Sequence, residues 1–249
     1  MDVPRPRIAR LDSMFAIVVV ACGLFFALTV VAMFLYPGGR VGDPQSTGYA
    51  FFTNFFSDLG QTRTYGGHAN GPSLVLFCVA LGATAFAMGL FFVGFSLFFA
   101  PASPARLTST LGAVCGIVAG LSFLGVAATP WNVYLRAHNE FVLWAFRSFL
   151  AAVVLCAVAG FVAPNFPRRF AWVFVAFAVL LAVYVGVITL GPRPDTAAGA
   201  AIQATAQKII VYASVLTVLV QALYARAWLK RAANAEGTRP QEAITATSL

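Results

Sequence analysis

Few residues in this 249-residue sequence could do chemistry, and most of them fall between the first apolar run and the fourth. The segment Asn54-Phe55-Phe56-Ser57-Asp58-Leu59-Gly60 sets one carboxylate among Phe51, Phe52, Phe55 and Phe56. A carboxylate in such company is expensive unless a cation or hydrogen-bond donors meet it. The two histidines are His68 and His138. The second opens His138-Asn139-Glu140, and Arg147 follows inside an apolar run. Asp58 with His138 is the pair that a general acid and base acting on a lipid would need. A zinc centre takes three or four ligands, and Asp58, His68, His138 and Glu140 reach that number if the loops converge. No HxxxH or HExxH puts two ligands on one helix face, so no metal and no cofactor is expected. Ser57 lacks the nucleophile-elbow context of a serine hydrolase.

Ionisable groups at membrane depth are the natural site candidates. Arg147 lies about two turns, roughly 10 Å, past Glu140. Helix side chains lean toward their own N-terminus, so Arg147 either snorkels to the surface or pairs with an acid facing the bundle. Asp58 is the expected partner for Arg147 or for an outer-loop cation, with a simple helix cap as the alternative. Gln207, Ser214 and Gln221 repeat every seven residues, with Gln203 and Thr217 beside them. That is one polar stripe turned away from lipid, used for interhelical hydrogen bonds or for lining a cavity.

The elements that position these residues follow from composition. Apolar residues make up 60% of the chain and charged ones 10%, against about 25% charged in soluble domains; mean hydropathy is +0.85. These values exclude a disordered chain, a secreted disulfide scaffold and an ordinary cytosolic enzyme. The net charge of +8 is read as topology signal and headgroup attraction rather than as a nucleic-acid surface. Cys22, Cys78, Cys115 and Cys156 all lie in apolar runs without a CxxC partner and read as small buried hydrophobes.

Six stretches reach the length of about 20 residues that a membrane helix needs, at about 14–36, 73–99, 109–128, 141–162, 171–190 and 209–228. The first is read as a retained span, since no small-residue cleavage site follows it. Ten basic residues fall on the side of the N-terminus and five, including Lys208, on the other, which places both termini in the cytoplasm. The segment 1–13 is then a cytoplasmic lead, 14–231 the transmembrane domain, and 232–249 a disordered polar tail. The outer loop 37–72 is the longest connection, and its aromatics predict that it lies in the interface or folds over the bundle mouth. Gly112, Gly116 and Gly120 form a smooth groove on span 3 for another backbone, with Gly82 and Gly89 of span 2 as the expected partner. Trp131, Trp144, Trp172 and Trp228 read as interfacial anchors.

Asn54-x-x-Ser57-Asp58-Leu59-Gly60 after the first span, then Ala128-Thr129-Pro130-Trp131-Asn132 and His138 opening span 4, resembles the bacterial and archaeal family called domain of unknown function 998. The resemblance implies a six-helix membrane protein with a Ser-Asp-Leu-Gly signature and an outer Phe-Pro-x-Asp…His element. Asn132 stands in place of that acid, which removes the basis for carrying over a metal or proton role. No activity is implied. A weaker likeness to the seven-helix metal-dependent hydrolases that include ceramidases fails on histidine count and on the number of spans.

The expected protein is therefore all-α, a polytopic transmembrane helix bundle of the inner membrane. Its polar outer mouth is drawn from Asn54, Ser57, Asp58, His68, His138, Glu140, Arg147 and Gln207. It is expected to bind a small molecule or a lipid headgroup, with membrane lipids and no nucleic acid as partners. The alternatives are a lipid-acting hydrolase and a structural or assembly protein.

Overall fold

The computed structural model describes residues 5–164 and 166–246, with side chains for 7–164 and 166–234. Six long helices carry the chain: α1 (Arg5–Leu35), α2 (Gly71–Leu97), α3 (Pro104–Ala128), α4 (Trp131–Val162), α5 (Arg168–Leu190) and α6 (Ala197–Ala246). All six are long and apolar enough to cross a membrane, so this is a multi-pass membrane protein. Several helices begin ahead of the apolar runs. Prolines at or just before the first turn start α2, α3 and α5, where their missing N–H and fixed φ do no harm. The helical backbone of α6 runs on to Ala246, past the point where a disordered tail is expected to begin. The tail's side chains from 235 on lie outside the described residues, as do those of the first six residues of the N-terminal lead.

Each helix packs on its sequence neighbours, and α6 returns to α1, so the bundle closes as a ring. The glycines of α3 set the close approaches. A methyl group on Gly116 would enter the Phe92 ring of α2, one on Gly120 would come within 2.9 Å of the Ala85 carbonyl oxygen, and one on Gly112 would press on Ala152 of α4. The groove on α3 thus receives Ala85 and Phe92 from α2, and α4 on its flank. Gly82 and Gly89 do not supply the contact expected of them: Gly89 faces open space and Gly82 meets only the tip of Leu124. Glycine offers close approach, but a ring seated in the groove fills it better than a second bare backbone. Phe92 then meets Phe149 edge to face at 6.0 Å, a favoured geometry for aromatic pairs.

The long α1–α2 connection folds over one end of the ring. It holds a two-stranded antiparallel hairpin, β1 (Gly38–Arg40) and β2 (Asp43–Thr47), with Gly38 opposite Thr47. A 3-10 turn at Phe56–Gly60 follows. Gly38 and Gly39 have φ of 129° and 90°, and a side chain at either would strike the facing loop backbone. Only glycine fits there. The 3-10 turn touches α2, α4 and α6. This loop is the plug, and its end of the ring is the capped end.

Candidate functional site

Asp58 sits at the centre of the plug with no exposed surface. Its Oδ2 accepts the Asn54 side-chain amide and the Phe55 backbone N–H, both at 2.9 Å. Its Oδ1 accepts Gln61 Nε2 and Trp131 Nε1, both at 3.2 Å. Four donors and no facing acceptor among these partners suit an ionised carboxylate. Burial pushes the Asp58 carboxyl up to about 6, against the pull of Asn54, Phe55, Trp131 and the charge of Lys208. At neutral pH it is mostly charged. Burial and then the Asp58 charge hold the phenols of Tyr36, Tyr49 and Tyr65 above their ordinary range.

The cation that accompanies Asp58 is Lys208 of α6, and its side chain is 1% exposed. Its ammonium donates to the Asn54 carbonyl oxygen and, at 3.3 Å, to the Ala204 carbonyl one turn earlier. The rings of Tyr49 and Phe51 lie 5.3 and 5.4 Å from Nζ, within cation–π range. Asn54 couples the two charges: its Nδ2 donates to Asp58 and to Gly39, its Oδ1 accepts from Ala50, and its backbone carbonyl takes Lys208. Asn70 closes the far side of the turn by donating to the Leu59 and Gln61 carbonyls at 3.0 and 2.9 Å.

Two cavities adjoin the plug. A vestibule of about 600 Å³ opens beside α4, α5 and α6 at the capped end, with Trp131, Leu135, Asn139, Tyr184, Asp195 and Gln203 in its wall. A chamber of about 60 Å³ lies within the ring and is lined mainly by apolar side chains such as Phe25, Phe77 and Phe149. Ser57, His138, Val142 and Gln207 line both. α4 departs from helical geometry at Tyr134 (φ −124°, ψ 48°). This break lets Trp131 turn to Asp58 while His138, one turn on, enters the ring.

His138 is buried, and its Nδ1 lies 2.7 Å from the Thr129 carbonyl oxygen at the end of α3. A carbonyl only accepts, so Nδ1 carries the hydrogen and Nε2 keeps a free lone pair. Gln207 accepts the Phe56 N–H at 2.7 Å through Oε1. Among the described residues no partner meets Gln207 Nε2, His138 Nε2 or Ser57 Oγ.

The expected mouth thus divides. Ser57, His138 and Gln207 line the cavities, whereas Asn54 and Asp58 are locked inside the plug and line neither. His68, Glu140 and Arg147 are exposed and join neither group. Arg147 does not pair with Asp58, a correction with a simple cause: α4 buries Ala145, Phe146, Phe149 and Ala152, and Arg147 projects from the other side. It snorkels. Asp58 and His138 are not hydrogen-bonded to each other: the carboxylate is held by four other donors, and the His138 N–H goes to the Thr129 carbonyl. Among the described residues no three of His, Cys, Asp and Glu gather closely enough to hold a metal ion.

The polar stripe of α6 serves two uses. Gln203 donates to the Val187 and Pro192 carbonyls and Gln221 to Phe170, tying α6 to α5, while Gln207 and Ser214 line the chamber. Lys208, Gln61 and Trp131 are the residues that sequence reasoning missed. Lys208 reads as a topology charge at a span end and Trp131 as an interfacial anchor. The available signal was a lysine directly followed by Ile209 and Ile210. No family model, curated protein or solved structure matches the chain.

Proposed function

We propose that the chain is a multi-pass protein of the inner membrane that binds a small molecule or lipid headgroup in the vestibule at its outer face. The observation that carries this reading is the wall shared by the vestibule and the chamber, where Ser57, His138 and Gln207 retain unused hydrogen-bonding atoms beside an apolar recess. Concave, mostly apolar sites with a few convergent polar groups are where small ligands bind. Arg7, Arg10, Arg106, Arg168, Arg169, Arg226, Lys230 and Arg231 belong to the uncapped end, against Arg40, Arg63, Arg136, Arg193 and Lys208 at the capped end. This bias supports an outward-facing cap and cytoplasmic termini. The relationship to the domain of unknown function 998 rests on Ser57-Asp58-Leu59-Gly60 and His138, and it stands as part of this proposal.

A hydrolase built on an Asp58–His138 pair draws no support from the geometry, because the Asp58 carboxylate is saturated by other donors. The test is native mass spectrometry of gently extracted protein. Wild type is expected to retain a bound lipid or metabolite that the Gln207→Leu, His138→Asn double variant releases at unchanged helicity. Equal bound mass in the two proteins would refute the reading.

A further inference from the structure

Charge separates the vestibule from every other polar part of the capped end. Among its described lining residues Asp195 is the only one that carries a charge at neutral pH with His138 neutral, and it is an exposed carboxylate at the rim. The nearby cations are engaged or absent from the wall. Arg40 pairs with Asp43 at 2.8 Å, Arg63 donates to the Gly67 carbonyl at 3.1 Å, and Lys208 is enclosed by Asn54, Tyr49 and Phe51. Arg136 and Arg193 are exposed and outside the lining. A phosphate or carboxylate headgroup entering here would meet no counter-charge in the wall and a like charge at Asp195, which is unfavourable.

The three unused polar groups form a complementary set. His138 Nε2 can only accept, Gln207 Nε2 can only donate, and Ser57 Oγ can do either. A ligand that satisfies them presents a hydroxyl, which donates to the imidazole and accepts from the amide. The chamber behind this wall is apolar and too small for more than the end of a chain, so the body of the ligand lies in the vestibule. We infer that the site takes an uncharged, single-chain amphiphile with a hydroxylated headgroup, and discriminates against anionic lipids. This deepens the preceding proposal and rests on it.

The experiment titrates the full-length protein in detergent with monooleoylglycerol, with lysophosphatidic acid of the same chain, and with an alkyltrimethylammonium of similar length. Bound mass is read by native mass spectrometry. Monooleoylglycerol is expected to bind about tenfold or more tightly than either charged probe. His138→Asn keeps an amide donor for the Thr129 carbonyl and removes the Nε2 acceptor, and is expected to weaken monooleoylglycerol about five- to tenfold, the worth of one hydrogen bond. Asn139→Lys, at an exposed position of the wall, adds a cation where none exists. It is expected to shift the preference for monooleoylglycerol over lysophosphatidic acid about tenfold toward the anion, so the inference stays open to refutation even if His138→Asn fails to fold. Lysophosphatidic acid or the quaternary amine binding wild type as tightly as monooleoylglycerol overturns the inference while leaving the vestibule a binding site. Binding of none of the three also overturns the inference, while the comparison of bound mass between wild type and the Gln207→Leu, His138→Asn variant decides the vestibule by itself.

Discussion

Ser57 and Asp58 are neighbours in the chain, yet the 3-10 turn sends them to opposite fates. Asp58 has four hydrogen-bond donors, a buried lysine nearby and no exposure. Ser57 is half-buried, has no side-chain partner among the described residues and lines both cavities. In the plug the polar groups are consumed by one another; in the vestibule wall they are left over. A saturated charge holds structure, because any ligand would first have to displace donors already in place. An unsaturated neutral group beside an apolar recess is what a ligand can use. The one carboxylate that looked most chemical in the sequence is therefore structural, and the polar groups left over are those of Ser57, His138 and Gln207.

The sharpest way to break this contrast is to exchange its members. Asp58→Ala strands four donors and the Lys208 ammonium, and the loss of one partner from a buried charged network costs about 3–5 kcal/mol. Ser57→Ala is expected to stay within about 0.5 kcal/mol. Denaturant unfolding in mild detergent compares them, and equal losses would erase the distinction between plug and wall.

Titration sharpens it next. The folded Asp58 carboxyl, at about 6, lies above its unfolded value of 3.8. The neutral acid is thus favoured in the folded state, a contribution fully present below pH 3.8 and lost as pH rises through 6. It amounts to about 3 kcal/mol. The unfolding free energy of wild type is expected to fall by about 2 kcal/mol between pH 4 and 6 relative to Asp58→Asn. The Trp131 emission, read as the difference from Trp131→Phe, should titrate near pH 6 and lose this step in Asp58→Asn. A pH-independent Trp131 signal would show that the carboxylate does not titrate against its indole donor.

Packing effects come third. Gly116→Ala drives a methyl group into the Phe92 ring and is expected to cost about 1–3 kcal/mol. Gly89→Ala, facing open space in α2, should be neutral or slightly stabilising. Unfolding of the two variants checks whether the groove of α3 or the glycines of α2 set the approach.

The smallest effect belongs to the uncapped end. There Arg7 and Arg106 donate to the Leu97 and Ser96 carbonyls at the end of α2, at 2.8 and 2.9 Å, and Arg226 meets Asp12 at 2.8 Å. The last pair is about a quarter exposed on each side. Asp12→Ala is expected to cost less than about 1 kcal/mol, and less again at high salt. A loss as large as that of Asp58→Ala would mean that burial does not separate the two ends.

Six membrane helices, their hairpin order and the glycine face of α3 were legible in the sequence, because length, hydropathy and four-residue spacing are local properties. That the aromatic α1–α2 segment lies in the interface or folds over the bundle mouth was legible too, since it packs five rings within eight residues. Only the structure shows the fold over the ring. The cation beside Asp58 was not. Arg147 lies inside one apolar run and Lys208 at the border of another, and only the rotation of each helix in the ring decides which one faces inward. α4 turns Arg147 out, whereas α6 turns Lys208 under the plug. Trp131 escaped for the same reason, its contact with Asp58 spanning 73 positions in the chain.

The sequence by itself determined that this chain has six helices able to cross a membrane and few charged groups to place between and beyond them. Apolar length and charge scarcity dictate both, whatever the helices later touch. Tertiary structure alone decided which of the polar groups are spent and which remain free. Hydrogen-bond saturation depends on helix rotation and on a plug that unites positions from β1 to α6. It placed Asp58 among four donors and left Ser57, His138 and Gln207 facing open space.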